Sequence, residues 1–273
     1  MTDRADTQPM IYRHRLATRL WHWVNVVVLF VLLMSGLMIF NAHPRLYWGS
    51  YGANFDQAWL EIGATPDAGV LKIGSLTVPT TGVLGRWTDP DGNVQTRAFP
   101  HWATIPSSYD LAGARRWHLA FAWIFAWGLL AFMVASLVNR HIARDLKLGR
   151  RELSPRRLWH DAKDHARLRF PTGQEARRYN PIQVISYVGV IFVALPLLIA
   201  TGLTMSPGLN AAAPWLLDLL GGRQSARSLH FIAAVAVVLF TIVHILLVLL
   251  SGPLNQLRGM VTGWWRLPAE RQP

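Results

Sequence analysis

Residues 229–250 have the sequence LHFIAAVAVVLFTIVHILLVLL. This run contains no Asp, Glu, Lys or Arg, and it is longer than the roughly 20 residues with which an α-helix crosses the hydrocarbon core of a membrane. It includes His230 and His244, which as helix positions are separated by about 21 Å of rise and by about 40° less than whole turns. Both imidazoles therefore leave the same face of one helix, one near each leaflet. Ionisable groups at such depth are candidates for function.

Three further runs, 21–40, 117–138 and 182–204, are equally apolar and also lack Asp, Glu, Lys and Arg. Only 15% of the chain is charged, whereas soluble domains carry about 25% charged residues. The sequence therefore predicts an all-α integral membrane protein, a four-transmembrane-helix bundle. We expect a membrane domain over residues 1–250 and a cytoplasmic tail over 251–273.

The chain contains no cysteine, which excludes disulfides, thiolate-bound iron–sulfur clusters and covalently attached c-type haem. Its net charge of +12 is typical of nucleic-acid-binding proteins. Of the 27 Lys and Arg residues, however, 12 lie in the segment 139–181 between two apolar runs. This pattern fits membrane topology better, and we expect no nucleic-acid partner.

The distribution of Lys and Arg predicts the orientation of the chain, because these residues are enriched in cytoplasmic segments. The two tails and the segment 139–181 together contain 19, whereas the segments 41–116 and 205–228 contain 8. We expect a multi-pass protein of the bacterial inner membrane with both termini and the basic loop 139–181 in the cytoplasm. The loop 41–116 would then be periplasmic.

The predicted periplasmic loop 41–116 is too long for a simple connector. It contains Asp91-Gly92 between two segments that could pair, and Asp-Gly favours a tight hairpin turn. We therefore expect a β-hairpin cap here, the alternative being a loop without regular structure. In the cytoplasmic loop, Ser154-Pro155 is a typical helix start, and the residues that follow form a basic amphipathic pattern.

Two other histidines complete a set of four at membrane depth. His22 begins the first run near the cytoplasmic side, and His118 begins the second run near the opposite side. Depth therefore pairs His22 with His244 and His118 with His230. Each pair comes from two helices, as axial ligation of a flat macrocycle requires.

This arrangement predicts two haems b, each with iron between two imidazoles. Zinc fits less well, since two separate histidine pairs leave each metal underligated. Three alternatives are histidines that only hydrogen-bond between packed helices, a transporter or proton channel, and a haem-free anchor subunit. The other six histidines lie outside the runs and are interpreted as non-ligands.

Arginines lie within three residues of each predicted ligand except His244. Their guanidinium groups could pair with haem propionates, or they could be interfacial residues whose charged ends reach the headgroup region. These residues are Arg19, Arg115, Arg116 and Arg227.

The chain resembles the cytochrome b subunits of bacterial formate dehydrogenase, nickel–iron hydrogenase and thiosulfate reductase. The resemblance covers about residues 21–250 and rests on RLWHWVN before the first run, RRWH before the second and the histidine pair of the fourth. Further sequence segments, among them HPRLYWGSYG, YNPIQ and LPLLIATGLTMSP, are most similar to the thiosulfate-reductase-like branch.

The resemblance implies that the same four histidines bind two haems b. It also implies electron exchange between membrane quinone and a periplasmic redox partner, often a molybdopterin enzyme. The chain would then be an electron-transfer subunit of an oxidoreductase complex, not a stand-alone enzyme. Asn180 and Gln183 match residues near the family's quinone site, but Val184 stands where many relatives have lysine. Asn180-Pro181 is also a typical helix start.

The predicted orientation can be tested with reporter fusions. A reporter after Pro273 should be cytoplasmic and one inserted within 88–93 should be periplasmic, because the bias in Lys and Arg places them on opposite sides. The activities of alkaline phosphatase and a fluorescent protein at each position measure this. A periplasmic C-terminal fusion would contradict the predicted depth of every histidine.

Overall fold

The computed structural model describes residues 8–139, 148–149, 152–169, 171–177 and 180–269. In this part of the chain the helices are α1 (Leu16–Phe40), α2 (Leu111–Val138), α3 (Pro155–Ala166), α4 (Pro181–Thr204), α5 (Pro207–Ala212), α6 (Pro214–Leu219), α7 (Arg223–Leu250) and α8 (Pro253–Thr262). The strands are β1 (Met10–Tyr12), β2 (Arg45–Leu46), β3 (Leu60–Ala64), β4 (Gly69–Ile73), β5 (Leu76–Pro79), β6 (Trp87–Thr88), β7 (Val94–Gln95) and β8 (Trp264–Arg266). Two 3₁₀ turns cover His101–Ala103 and Gly173–Arg177.

Four of these helices, α1, α2, α4 and α7, are long and apolar enough to cross a membrane. Each contains one of the four apolar runs, so the predicted class of a four-helix membrane protein is confirmed. Helices α1, α2 and α7 begin before their apolar runs and include the preceding arginines. A helix can continue beyond the hydrocarbon core because its backbone hydrogen bonds are internal and its long basic side chains reach water.

Helix α4 changes its hydrogen-bonding pattern in the middle. It is α-helical over Pro181–Gly189, forms a π-helical turn over Val190–Ala194 and returns to α-helix over Leu195–Thr204. Pro196 follows this turn, and it has no N–H with which to bond the carbonyl four residues earlier. A π-turn is a usual local response to such an interruption.

The described contacts divide the chain into two compact units. The first unit contains Met1–Val24, Gly128–Leu195 and Ala236–Pro273, and the second contains Asn25–Trp127 and Pro196–Val235. Each of the four long helices contributes residues to both units. The predicted domain boundary at residue 250 stays a prediction.

In the first unit, the two tails of the chain pair with each other. Strands β1 and β8 are antiparallel, with Ile11 opposite Trp265. Trp265 is buried together with Ala176 and Leu267, and the guanidinium carbon of Arg13 lies 4.3 Å from the centre of its ring. This small core attaches the N-terminal segment and the 3₁₀ turn over Gly173–Arg177 to the segment after α8.

In the second unit, the loop 41–116 has more regular structure than the single hairpin that its sequence predicts. That hairpin is confirmed, since β6 and β7 pair antiparallel and Gly92 has a φ of 85°. A four-stranded antiparallel sheet in the order β2-β3-β4-β5 was not predicted. Its apolar side chains pack with the end of α1 in a core that includes Phe40, Leu46, Leu60, Ile62 and Ala98.

The same loop covers the N-terminus of α7, where helix N–H groups lack intrahelical partners. The carbonyl of Gly49 accepts hydrogen bonds from the N–H groups of Gln224 and Ser225 at 3.0 and 3.1 Å. The Ser228 hydroxyl donates to the carbonyl of Tyr47 at 2.6 Å and accepts from the indole N–H of Trp59 at 2.9 Å. The loop therefore fixes the start of α7 within this unit.

Substitution of Gly85 by alanine should destabilise the sheet. Its φ is 76° and a Cβ there would collide with the carbonyl of Gly63. Gly82→Ala is a matched control, because Gly82 has a φ of 87° and a Cβ added there would meet no heavy atom within 4 Å. Both variants should lose about 1–2 kcal/mol from left-handed backbone, and Gly85→Ala about 1–3 kcal/mol more from overpacking. Thermal unfolding in detergent, with proteolysis of the loop, measures the difference; equal losses would contradict the packing.

Candidate functional site

The structure brings the four membrane-depth histidines together as two pairs. In the second unit, the ring centres of His118 on α2 and His230 on α7 are 6.3 Å apart, and the ring planes are 63° apart. In the first unit, the ring centres of His22 on α1 and His244 on α7 are 6.4 Å apart, with 61° between planes. These are the pairs expected from depth. All four rings are half-buried.

The spacing of the rings fits one metal ion between each pair. A metal–imidazole bond is about 2 Å long, and the bonding nitrogen lies about 1.1–1.2 Å from the ring centre, so two imidazoles on opposite sides of one iron have centres roughly 6.3 Å apart. Direct ring packing does not require this separation. The described residues include no cluster of three or more His, Cys, Asp or Glu side chains that could hold a metal ion, whereas a zinc site commonly has three or four protein ligands.

The second nitrogen of His118 is held by helix α1. Its Nδ1 lies 3.1 Å from the Ser35 hydroxyl and 3.1 Å from the carbonyl oxygen of Leu32. The Ser35 hydroxyl donates its own proton to the carbonyl of Val31 at 2.6 Å. The hydroxyl oxygen and the carbonyl are therefore both acceptors, and Nδ1 of His118 must carry the proton. Its Nε2 is left with a lone pair, the form that binds a metal.

On helix α4, a buried hydroxyl contacts Nδ1 of His230 in the same way. The Thr201 hydroxyl lies 3.0 Å from Nδ1 of His230 and donates to the carbonyl of Leu197 at 2.6 Å. Nδ1 of His230 is again the donor, and Nε2 is again left with its lone pair. Among the described residues, nothing hydrogen-bonds Nε2 of either histidine. Hydrogen bonding of the non-ligating nitrogen to a carbonyl or similar acceptor is the usual arrangement of metal-binding histidines.

A glycine follows each of these hydroxyl residues and lies against the same imidazole. A Cβ added at Gly36 would be 3.3 Å from Cε1 of His118, and one added at Gly202 would be 3.4 Å from Cε1 of His230. The absence of a side chain lets each ring approach its helix closely enough to reach the hydroxyl. The two dipeptides, Ser35-Gly36 and Thr201-Gly202, thus make equivalent contacts with an imidazole on two helices.

The surroundings of the His22–His244 pair are aromatic. The His22 ring is edge-on to Trp23 with centres 5.1 Å apart, and the His244 ring is stacked on Phe240 with centres 5.8 Å apart. Nδ1 of His22 is buried and has no hydrogen-bond partner among the described residues. The two pairs therefore share ring spacing but differ in what holds the non-ligating nitrogens.

The arginines predicted beside the ligands have different environments. Arg19 donates to the carbonyl of Thr262 at 3.0 Å. Arg227 is half-buried, donates to the carbonyl of His43 and lies over the ring of Phe40. Arg115 and Arg116 are exposed. None of these contacts involves a haem propionate, so the pairing of these arginines with propionates stays a prediction.

Arg227 also affects the neighbouring His43 in the second unit. Burial of the His43 ring, and then the positive charges of Arg227 and Arg45, lower the pKa of His43. The ring is therefore neutral at pH 7. Its Nε2 lies 3.2 Å from the Tyr47 hydroxyl, so it is part of the loop structure at the start of α7.

Asn180 and Gln183 form a capping box at the start of α4. The side-chain oxygen of Asn180 accepts the N–H of Ile182 at 3.0 Å, and that of Gln183 accepts the N–H of Asn180 at 3.3 Å. The predicted helix start is thus confirmed, whereas the predicted role at a quinone site stays a prediction. A capping box also explains this pair of residues without a ligand.

The other histidines lie outside the long helices. His101 lies beside Trp87, with ring centres 5.4 Å apart, and Nδ1 of His160 lies 3.1 Å from a carboxylate oxygen of Asp164 on α3. His14 lies between β1 and α1. His141 lies outside the described residues, as does the side chain of His165.

Ser35 and Thr201 were not among the site residues predicted from the sequence. Both are fully buried and both precede a glycine inside an apolar run. A hydroxyl residue followed by glycine in two membrane helices was the available signal. By itself it does not separate close helix packing from contact with an imidazole.

Comparison with known proteins identifies the family of this chain. The family model described as prokaryotic cytochrome b561 matches residues 13–263. A chain of Azospira oryzae, provisionally named protein-methionine-sulfoxide reductase subunit, is 24% identical over 232 residues, which cover 85% of this chain and 87% of that one. A chain of Azotobacter vinelandii, provisionally named Ni/Fe-hydrogenase B-type cytochrome subunit, is 24% identical over 282 residues, which cover 99% and 94%. No solved structure matches this chain significantly.

The family model covers all four long helices and both histidine pairs. The relatives are subunits of oxidoreductases by their names, and the helices are suited to a membrane bundle. The resemblance to membrane cytochromes b that the sequence predicted is therefore confirmed. The chain is a membrane b-type cytochrome subunit and belongs to the prokaryotic cytochrome b561 family.

Proposed function

We propose that this chain carries two haems b, one between His22 and His244 and one between His118 and His230. It uses them to pass electrons between membrane quinone and a redox partner outside the cytoplasm. The observation that carries the proposal is the pair of ring-centre distances, 6.4 and 6.3 Å, each between two different helices. Bound haem supplies reversible one-electron exchange between ferric and ferrous iron. The chain's own residues orient the imidazoles and exclude water.

Arg227 is the best candidate for a propionate partner of the His118–His230 site. It precedes His230 by three positions on α7, so the two side chains lie on neighbouring parts of one helix face. Its contact with the carbonyl of His43 holds the guanidinium in place, and a guanidinium has further N–H donors for a carboxylate. Arg19, Arg115 and Arg116 are proposed as further propionate partners because each lies within three residues of a proposed ligand.

Quinone is proposed to bind near the start of α4, as the family resemblance implies. The side-chain oxygens of Asn180 and Gln183 already accept backbone N–H groups. Their NH₂ groups are therefore the donors that a quinone carbonyl would use. Both residues belong to the first unit, as does the His22–His244 pair.

The proposed partner is a periplasmic redox enzyme of the molybdopterin type, docked on the loop 41–116. Support comes from the size of the loop, from its sheet and from exposed aromatic side chains: Trp102 is 63% and Tyr109 48% exposed. The loop has 6 basic and 6 acidic residues, so attraction between net charges contributes little. Exposed aromatics are frequent anchors of protein interfaces.

A reduced-minus-oxidised absorption spectrum of the purified protein tests the proposal as a whole. A b-type spectrum with two haems per chain is expected. A transporter, a proton channel or a haem-free anchor would give no haem signal.

Replacement of single ligands should remove single haems. His230→Ala should lose mainly the haem shared with His118, and His244→Ala mainly the haem shared with His22, because each variant removes one of the two imidazoles that would hold that haem. His160→Ala, a control at an exposed histidine on α3, should keep both. Haem content per chain and the ferric low-spin signals measure the outcome. Two haems retained in either ligand variant would refute the assignment.

The docking surface can be tested without disturbing the core of the loop. Trp102→Ala should keep both haems and their reduction by a quinol, while oxidation of the reduced cytochrome by the periplasmic enzyme slows several-fold. The control is Trp215→Ala, since Trp215 is 65% exposed and lies in the second unit but on α6. Stopped-flow absorbance of the haem measures both rates. An unchanged oxidation rate in Trp102→Ala, or the same loss in the control, would show that Trp102 is no part of the docking surface.

A further inference from the structure

The hydroxyls of Ser35 and Thr201 hold the two imidazoles of only one of the histidine pairs. Each hydroxyl is fully buried, donates to a carbonyl of its own helix at 2.6 Å and receives an imidazole Nδ1–H at 3.1 or 3.0 Å. A Ser or Thr in an apolar helix commonly bonds the carbonyl four residues earlier. The second contact, to a histidine of another helix, is not explained by this local bonding of the hydroxyl.

The direction of these hydrogen bonds matters for the electronic character of the ligands. Because each hydroxyl proton is committed to a carbonyl, the oxygen can only accept from the imidazole. An imidazole that donates from Nδ1 carries more negative charge on Nε2 and is a more basic metal ligand. A more basic axial ligand stabilises ferric over ferrous iron, and hydrogen bonding to the axial ligands is one of the protein's means of setting a haem potential.

We propose that Ser35 and Thr201 are positioning residues that fix the tautomers of His118 and His230 and lower the reduction potential of the haem proposed between them. This inference rests on the proposed function. The glycines assist, because a Cβ at Gly36 or Gly202 would press on Cε1 of the same imidazole at 3.3 or 3.4 Å. Each site thus combines a hydroxyl, whose oxygen accepts the hydrogen bond from Nδ1–H, with a glycine that leaves room for the imidazole ring.

The His22–His244 pair provides an internal comparison. Its neighbours are the aromatic rings of Trp23 and Phe240, and Nδ1 of His22 has no acceptor among the described residues. Loss of the Ser35 or Thr201 hydroxyl therefore changes one pair and leaves the other unaltered. The chain thus has two histidine pairs with different surroundings, and the hydroxyls act on only one of them.

The test uses three substitutions on α4 and one on α1. Thr201→Val removes the hydroxyl and keeps the shape, whereas Thr201→Ser keeps the hydroxyl. Thr204→Val is the matched control: Thr204 is also buried, at 2% exposure, but its hydroxyl donates to the carbonyl of Thr201 and not to a histidine. Ser35→Ala removes the equivalent hydroxyl on α1. The measurement is a redox titration of the full-length protein followed by the haem absorption band, with the ferric low-spin signals recorded beside it.

Thr201→Val and Ser35→Ala should each shift the same one of the two titration components by about tenfold in the ferric–ferrous equilibrium, a rise of about 59 mV for one electron. Thr201→Ser and Thr204→Val should leave both components in place. Loss of one haem in Thr201→Val but in neither of the other α4 variants would also support the inference.

Three results would overturn the inference: both components unchanged in Thr201→Val and Ser35→Ala, different components shifted by the two variants, or an equal shift in Thr204→Val. Each of these leaves the proposed function intact, because the haems are still bound. A wild-type protein without low-spin bis-histidine signals would refute the proposed function itself.

Discussion

A neutral histidine binds a metal through one ring nitrogen while the other nitrogen carries the proton. That N–H needs a hydrogen-bond acceptor, and the apolar part of a membrane offers few of them. In the second unit, α1 and α4 supply these groups as the hydroxyls of Ser35 and Thr201. Both hydroxyls are first fixed by their own helices, so the acceptors are in place before any ligand binds. The direction of the His118 and His230 imidazoles depends on this interaction.

The rotation of α7 is a second requirement, because His230 must leave the helix toward α2. Ser225 and Ser228 bond the loop through Gly49 and Tyr47, and Arg227 bonds the carbonyl of His43. These contacts come from three positions in the first two turns of α7, so together they fix how the start of the helix is turned relative to the loop. The loop residues that make these contacts belong to the same loop as the sheet, whose core includes Leu46 and Ile62. The loop 41–116 thus helps to position the His118–His230 pair and is also a proposed docking surface.

Two sites with the same ring spacing and different surroundings suit a protein that moves electrons across a membrane. In the proposed function, the aromatic His22–His244 site exchanges electrons with quinone and the hydroxyl-supported His118–His230 site exchanges them with the partner. In the role proposed for Ser35 and Thr201, a difference in ligand basicity would separate the potentials of the two sites without any difference in ligand type. The family assignment is consistent with this, since the relatives are by name subunits of a reductase and a hydrogenase.

The sequence by itself determined the four membrane helices and the two histidine pairs. The thickness of the hydrocarbon core requires long apolar runs, and the regular rise and rotation of a helix convert the spacing of His230 and His244 into depth and direction. The Asp91-Gly92 hairpin and the Asn180 capping box were also predictable, because both are local. Only the tertiary structure decided the four-stranded sheet, the pairing of β1 with β8 and the roles of Ser35 and Thr201. Strand partners and the contacts of buried hydroxyls depend on which distant segment approaches, and a hydroxyl residue before a glycine does not by itself distinguish close helix packing from contact with an imidazole.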